Sequence, residues 1–238
     1  MTMTLPPGDA PLGDLLAVAQ RRFGPVTFES VAIGSRRFEL PQIADMPAYL
    51  EKLAAKAGPT GKLSLPLWAK IWPSCLILAM YLERYPFPEG GTVLEVGAGT
   101  GMVGLSVAAL GHDVILSDLE PGALLFARIA TLKNNLAERV RVEQVDFTRD
   151  RLPEPCRTII GCEVLYNEAN SPRFLEFLEA NLAPGGEVVL AMDRVRTGKT
   201  FFSLARERFE ILMKEVPVRD PDTGKQSFCV LYRMRAKA

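Results

Sequence analysis

The sequence predicts an α/β fold: a mostly parallel seven-stranded sheet with an antiparallel last strand, helices on both faces, and a small N-terminal extension of helices and a hairpin. Three observations carry this. The 238 residues are 48% hydrophobic, which suits one compact domain with an extension better than two domains. From Thr92 onward, short apolar runs alternate with longer amphipathic ones, the pattern of parallel strands covered by helices. The last two apolar runs follow one another directly, as an antiparallel hairpin would.

The elements follow in order. Residues 1–11 hold three prolines and a glycine and read as a loose arm, and Leu12 to Arg22 reads as a short helix. Val26 to Ile33 and Arg37 to Ile43 flank Gly34-Ser35 and predict a β-hairpin. Met46 to Ala57 is a second helix, stopped by Gly58-Pro59. Residues 1–64 form the extension and 65–238 the main domain. Strands are expected at Val93–Val96, Asp113–Leu116, Val140–Val145, Thr158–Cys162, Glu187–Met192, Phe209–Val216 and Gln226–Arg233. Helices are expected at Met102–Leu110, Pro121–Leu136, Ser171–Leu182 and Lys199–Arg208.

Composition narrows the chemistry. Lys plus Arg and Asp plus Glu balance at 28 each, so no global basic field holds a nucleic-acid backbone, and no nucleic-acid partner is expected. Cys75, Cys156, Cys162 and Cys229 form no CxxC pair and His112 is the single histidine, so no metal site is expected. Cys162 and Cys229 read as buried reduced thiols, and His112 as a residue at a strand entry. The first residues lack a signal-peptide pattern, and no run reaches the ~18 apolar residues of a membrane span. A cytoplasmic protein with no membrane partner is expected.

The strongest signal is Val93-Leu94-Glu95-Val96-Gly97-Ala98-Gly99-Thr100-Gly101, a strand running into alternating glycines and then a helix. Bare backbone there lets a ligand lie against the turn, and the helix start offers free N–H groups. Gly99-x-Gly101-x-x-Gly104 formally matches a dinucleotide fingerprint. Glu95 argues against that ligand. A carboxylate two residues before the glycines suits the ammonium and sulfonium of S-adenosylmethionine and repels a pyrophosphate. Asp118, at the end of the second sheet strand, can accept both ribose hydroxyls, with Leu119 beside it; it could also cap the following helix. Asp146 can accept from an adenine amino group with Phe147 against the ring, or be a turn aspartate.

The glycine loop resembles motif I of the Rossmann-like seven-β-strand methyltransferases. Leu67-Trp68-Ala69-Lys70-Ile71-Trp72-Pro73-Ser74, with Leu78-Ala79 and Tyr81-Leu82 behind it, is similar to the leading motif of protein-lysine methyltransferases acting on non-histone proteins. The branch acting on the electron-transfer flavoprotein β subunit is particularly similar. The resemblance covers about Leu65 to Arg208. It implies that Trp72 lies beside the cofactor, that the backbone of Cys162 touches it, and that Glu163-Val164-Leu165-Tyr166 stands for the family's acidic-x-x-Tyr motif. Glu163 replaces the usual Asp, and Phe147 stands where many members have Trp. Without the resemblance, Trp68 and Trp72 read equally as core, Glu163 as a strand-end cap and Tyr166 as a packed ring.

The implied activity is methyl transfer from S-adenosylmethionine to a lysine side chain of a protein partner, with Glu163 holding the amine and Tyr166 shaping its pocket. Other readings are a small-molecule N-methyltransferase with a nicotinamide-like acceptor, a non-catalytic cofactor-binding domain, and more remotely a nucleic-acid methyltransferase or a nicotinamide-dependent oxidoreductase.

Overall fold

In the computed structural model, residues 3–57, 65–195, 198–219, 224 and 226–237 are described. The expected Gly58-Pro59 helix stop lies outside them. The N-terminal part contains α1 (Leu12–Phe23), the antiparallel pair β1 (Val26–Ile33) and β2 (Arg36–Ile43), and α2 (Met46–Ala57). A 3-10 turn at Leu67–Ala69 leads into α3 (Pro73–Leu82). Then come β3 (Val93–Val96), α4 (Met102–Ala108), β4 (Val114–Asp118), α5 (Pro121–Lys133), β5 (Val140–Gln144) and β6 (Cys156–Cys162). The chain ends with α6 (Ser171–Asn181), β7 (Leu182–Asp193), α7 (Lys199–Arg208), β8 (Phe209–Arg219) and β9 (Gln226–Ala236).

The seven-stranded sheet runs in the order β5-β4-β3-β6-β7-β9-β8. Strands β3 to β7 are mutually parallel, and β9 inserts antiparallel between β7 and β8. The expected sheet is thus present, with its antiparallel last strand inside rather than at the rim. Successive residues of a strand face opposite sides. Val93, Leu116 and Ile160 meet α3, α4 and α5 in one cluster, while Leu94, Ile115 and Ile159 meet α6 and α7 in another. A third cluster joins α1 to α5 through Leu15, Ala19, Phe23, Leu125, Phe126 and Ile129. The Asn134 side chain docks on β2, its Oδ1 accepting from the Glu39 N–H at 2.9 Å and its Nδ2 donating to the Glu39 carbonyl at 2.9 Å.

Several boundaries differ from expectation. Helix α3 was not assigned from sequence, because PSCLILAMYL is apolar all round and shows no stripe. Helix α5 ends at Lys133, before Asn135 turns left-handed at φ 56°. Strand β4 runs to Asp118. Strand β7 starts at Leu182, five residues before the expected Glu187, and takes in Pro184-Gly185-Gly186 by way of a register irregularity opposite Cys156 and Thr158. His112 is half-buried, its ring 4.4 Å from that of Phe87.

Candidate active site

Strand order reverses between β3 and β6, since β3 leads outward through β4 to β5 before the chain returns to β6. At such a point the connections leave on opposite sides, and a crevice opens beyond the carboxyl ends of the strands. A cavity of about 600 Å³ lies there. Every sequence-predicted site residue lines it except Gly101, which instead caps the start of α4. The carboxyl ends of β3, β4, β5 and β6 contribute Glu95, Asp118, Asp146 and Glu163 respectively, and the segment before α3 contributes Trp68, Lys70 and Trp72.

Gly97, Gly99 and Gly101 all have positive φ, between 56° and 83°. A side chain at Gly99 is excluded twice over, since a Cβ would also sit 2.8 Å from the Trp68 carbonyl oxygen. The loop is therefore pressed against the segment before α3. The Gly99 N–H donates to Asp118 Oδ2 at 3.0 Å, and the Glu120 N–H donates to Oδ1 at 2.9 Å. Asp118 thus organises the loop and the approach to α5 without capping the helix, whose N-cap is Glu120. Burial pushes the Asp118 carboxyl above its usual range, against those two N–H donors.

Glu95 is 2% exposed, and its Oε2 accepts from the Gly104 N–H at 2.7 Å. Burial pushes its carboxyl up to about 8. The anionic guard expected from the sequence therefore carries its proton at neutral pH in the ligand-free chain; desolvation outweighs the hydrogen bond. Asp146 adopts the turn arrangement weighed above: Oδ1 accepts from the Thr148 N–H at 2.9 Å and hydroxyl at 2.6 Å, which holds this carboxyl below its usual range. The Phe147 ring stands edge-on to Phe174 at 4.9 Å.

Trp72 is fixed by its indole N–H, which donates to the Leu67 carbonyl at 3.2 Å, and the Lys70 ammonium lies 4.7 Å from its ring centroid. Trp68 packs edge-on against Phe23 and Phe126, the core role weighed for it, while also lining the cavity. Glu163 is buried with φ 55°. Its Oε1 accepts from the Ser74 hydroxyl at 2.5 Å and from the Asp193 N–H at 2.8 Å. Tyr166 is 65% exposed at the cavity, so it is not a packed core ring. Burial pushes the Cys162 thiol well up, with the Cys75 thiol beside it adding to the shift. Sequence reasoning missed Ser74 and Thr148 as partners of site carboxylates; Ser74 stood inside the quoted motif, but its partner is 89 residues away.

The donor set suits a cationic nucleoside. Among the described residues lining the cavity, Lys70 is the single cation, against Glu95, Asp118, Glu120, Asp146 and Glu163. A pyrophosphate would find no guanidinium and several carboxyl groups.

The sequence pattern described as lysine methyltransferase matches residues 66–208. Protein N-lysine methyltransferase METTL21A of Danio rerio is 34% identical over 152 residues, 60% of this chain and 69% of that protein. EEF1A lysine methyltransferase 3 of Mus musculus is 30% identical over 182 residues, 71% of this chain and 75% of that protein. Among solved structures, a precorrin-6y C5,15-methyltransferase from Geobacter metallireducens superposes with a TM-score of 0.55 at 14% identity, covering 68% of this chain and 88% of that one, a likeness of fold. The matched span contains the glycine loop, the carboxylate-bearing strand ends and the Glu163–Tyr166 turn, and the chain belongs to the lysine methyltransferase family.

Proposed function

We propose that this chain transfers a methyl group from S-adenosylmethionine to the ε-amine of a lysine presented by a protein partner, in a reducing, cytoplasmic setting. The observation that carries the reading is the convergence on one carboxylate-rich cavity of the glycine loop, Asp118 and the Glu163–Tyr166 turn. The relatives named above act on protein lysines, and all four cysteines are free thiols, in keeping with that setting.

When bound, S-adenosylmethionine supplies a methyl group already activated by its positive sulfur. The residues that would hold it are Gly97–Thr100 of the loop, Asp118 and Leu119, Asp146 and Phe147, with Glu95, Trp72 and the Cys162 backbone along the walls. No general acid or covalent nucleophile is required of the chain, and its contribution is orientation and electrostatics. The attacking lysine must be neutral, which costs about 4–5 kcal/mol at pH 7 for an ordinary amine. Desolvation in the cavity lowers that cost. Glu163 holds and aligns the amine, and Tyr166, at the open end, shapes its entry.

The test is transfer of labelled methyl from S-adenosylmethionine into cell-extract protein. Label in a discrete protein band, identified by mass spectrometry at a lysine, is expected; label confined to the low-mass fraction would instead make the acceptor a small molecule. Glu163→Gln and Tyr166→Phe should each slow transfer by about tenfold or more while S-adenosylhomocysteine still binds. Full turnover in both variants would remove these residues from the mechanism.

A further inference from the structure

We infer that Ser74 is a positioning residue for the acceptor side of the site and acts through Glu163; the inference rests on the methyl-transfer reading above. Glu163 is a non-glycine residue in the left-handed region at the end of β6, a conformation held only where surroundings impose it. What imposes it is visible. The Glu163 N–H donates to the Ala191 carbonyl at 2.9 Å. At the other end of the residue, Oε1 gathers two donors, the Ser74 hydroxyl from the first turn of α3 and the Asp193 N–H from the end of β7.

Ser74 is 4% exposed and Glu163 9%, so the hydrogen bond between them is shielded from bulk water, where a lost donor is poorly replaced. It also joins three walls of the cavity. Trp72 lies two residues before Ser74, and Val164, next after Glu163, packs so close that a Cβ on Gly97 would meet it at 2.9 Å. One buried hydroxyl therefore links the segment before α3, the acceptor turn and the donor loop. The geometry also accounts for a side chain of glutamate length at this position. An aspartate at 163 would fall one methylene short of both Ser74 and the Asp193 amide. Ser74 and Glu163 are a matched pair.

The experiment compares wild type, Ser74→Ala, Glu163→Ala and the double variant. Initial rates of label transfer into lysate protein are measured across donor concentration, S-adenosylhomocysteine affinity is measured by calorimetry, and amide hydrogen exchange is followed in the ligand-free chain. Ser74→Ala is expected to lower the limiting rate about tenfold, keep the affinity within about twofold, and speed exchange at Asp193 about tenfold with Val189 unchanged. In the Glu163→Ala background, which has no side-chain acceptor, it should add less than about twofold. Ser74→Thr, which keeps the hydroxyl, should exchange at Asp193 like wild type. An equal tenfold loss in the Glu163→Ala background, or unchanged exchange at Asp193, overturns the proposal. So does lost affinity with an unchanged rate. If wild type labels no protein, the protein-lysine reading fails, while Asp193 exchange still decides the Ser74–Glu163 link.

Discussion

Glu95 holds a carboxyl group that burial keeps protonated up to about pH 8, so its charge is conditional. A cation placed beside it stabilises the ionised form, and by linkage the ionised form stabilises the bound cation. The sign follows. Below pH 8, binding must expel the Glu95 proton, so affinity for S-adenosylmethionine rises as pH climbs from 6 towards 8 and levels off above. The limit is about tenfold per pH unit. Calorimetric titration across that range should show this slope in wild type and a flat profile in Glu95→Gln; a flat wild-type profile would remove Glu95 from the donor electrostatics. The sequence made the position legible, because a carboxylate two residues before the glycines marks the end of a strand. It hid the protonation state, which depends on 2% exposure and on the Gly104 N–H, both products of packing. Ser74 was hidden for a related reason: a serine's partner across 89 residues leaves no local trace.

At the scale of elements, the strand–helix alternation was readable because each sheet strand is a short apolar run between amphipathic helices. Helix α3 and the first residues of strand β7 were not, one lacking a stripe and the other running through Pro184-Gly185-Gly186. The order in which β9 enters between β7 and β8 also has no local signature. It is secured by Glu187, a residue of β7 that is 3% exposed. Its oxygens accept from Arg233 at 2.7 and 2.8 Å, and from Arg235 and the Tyr85 hydroxyl. Burial raises the Glu187 carboxyl, but the two arginines of β9 outweigh it and hold it below the usual 4.5. A depressed folded-state value means stability that is present above 4.5 and is lost as pH falls below it. Glu187→Gln should cost about 2 kcal/mol at pH 7, and the difference from wild type should shrink below pH 4.5. Urea midpoints at pH 7 and in acid measure both. A gap that persists undiminished in acid would assign the loss to packing rather than charge.

For the whole molecule, the question is whether residues 1–64 form a separable extension, as their composition suggests, or one cooperative unit with the sheet. The contacts favour cooperation. Phe23, the last residue of α1, lies 5.5 Å from Trp68 and 5.4 Å from Phe126 of α5, edge-on to both rings. Trp68 in turn leaves no room for a Cβ at Gly122, at 2.6 Å, or at Gly99, where its carbonyl is 2.8 Å away. The N-terminal helix thus backs the tryptophan that backs the donor loop. Truncating a buried phenylalanine costs about 3–5 kcal/mol, which for a domain of this size is a fall of roughly 10 °C in Tm. We expect wild type to melt in a single calorimetric transition, and Phe23→Ala to lower that one transition and to weaken S-adenosylhomocysteine binding with it. Two resolved transitions, with the sheet's melting and the affinity both untouched by Phe23→Ala, would make the extension a domain of its own, and its packing against Trp68 irrelevant to the loop.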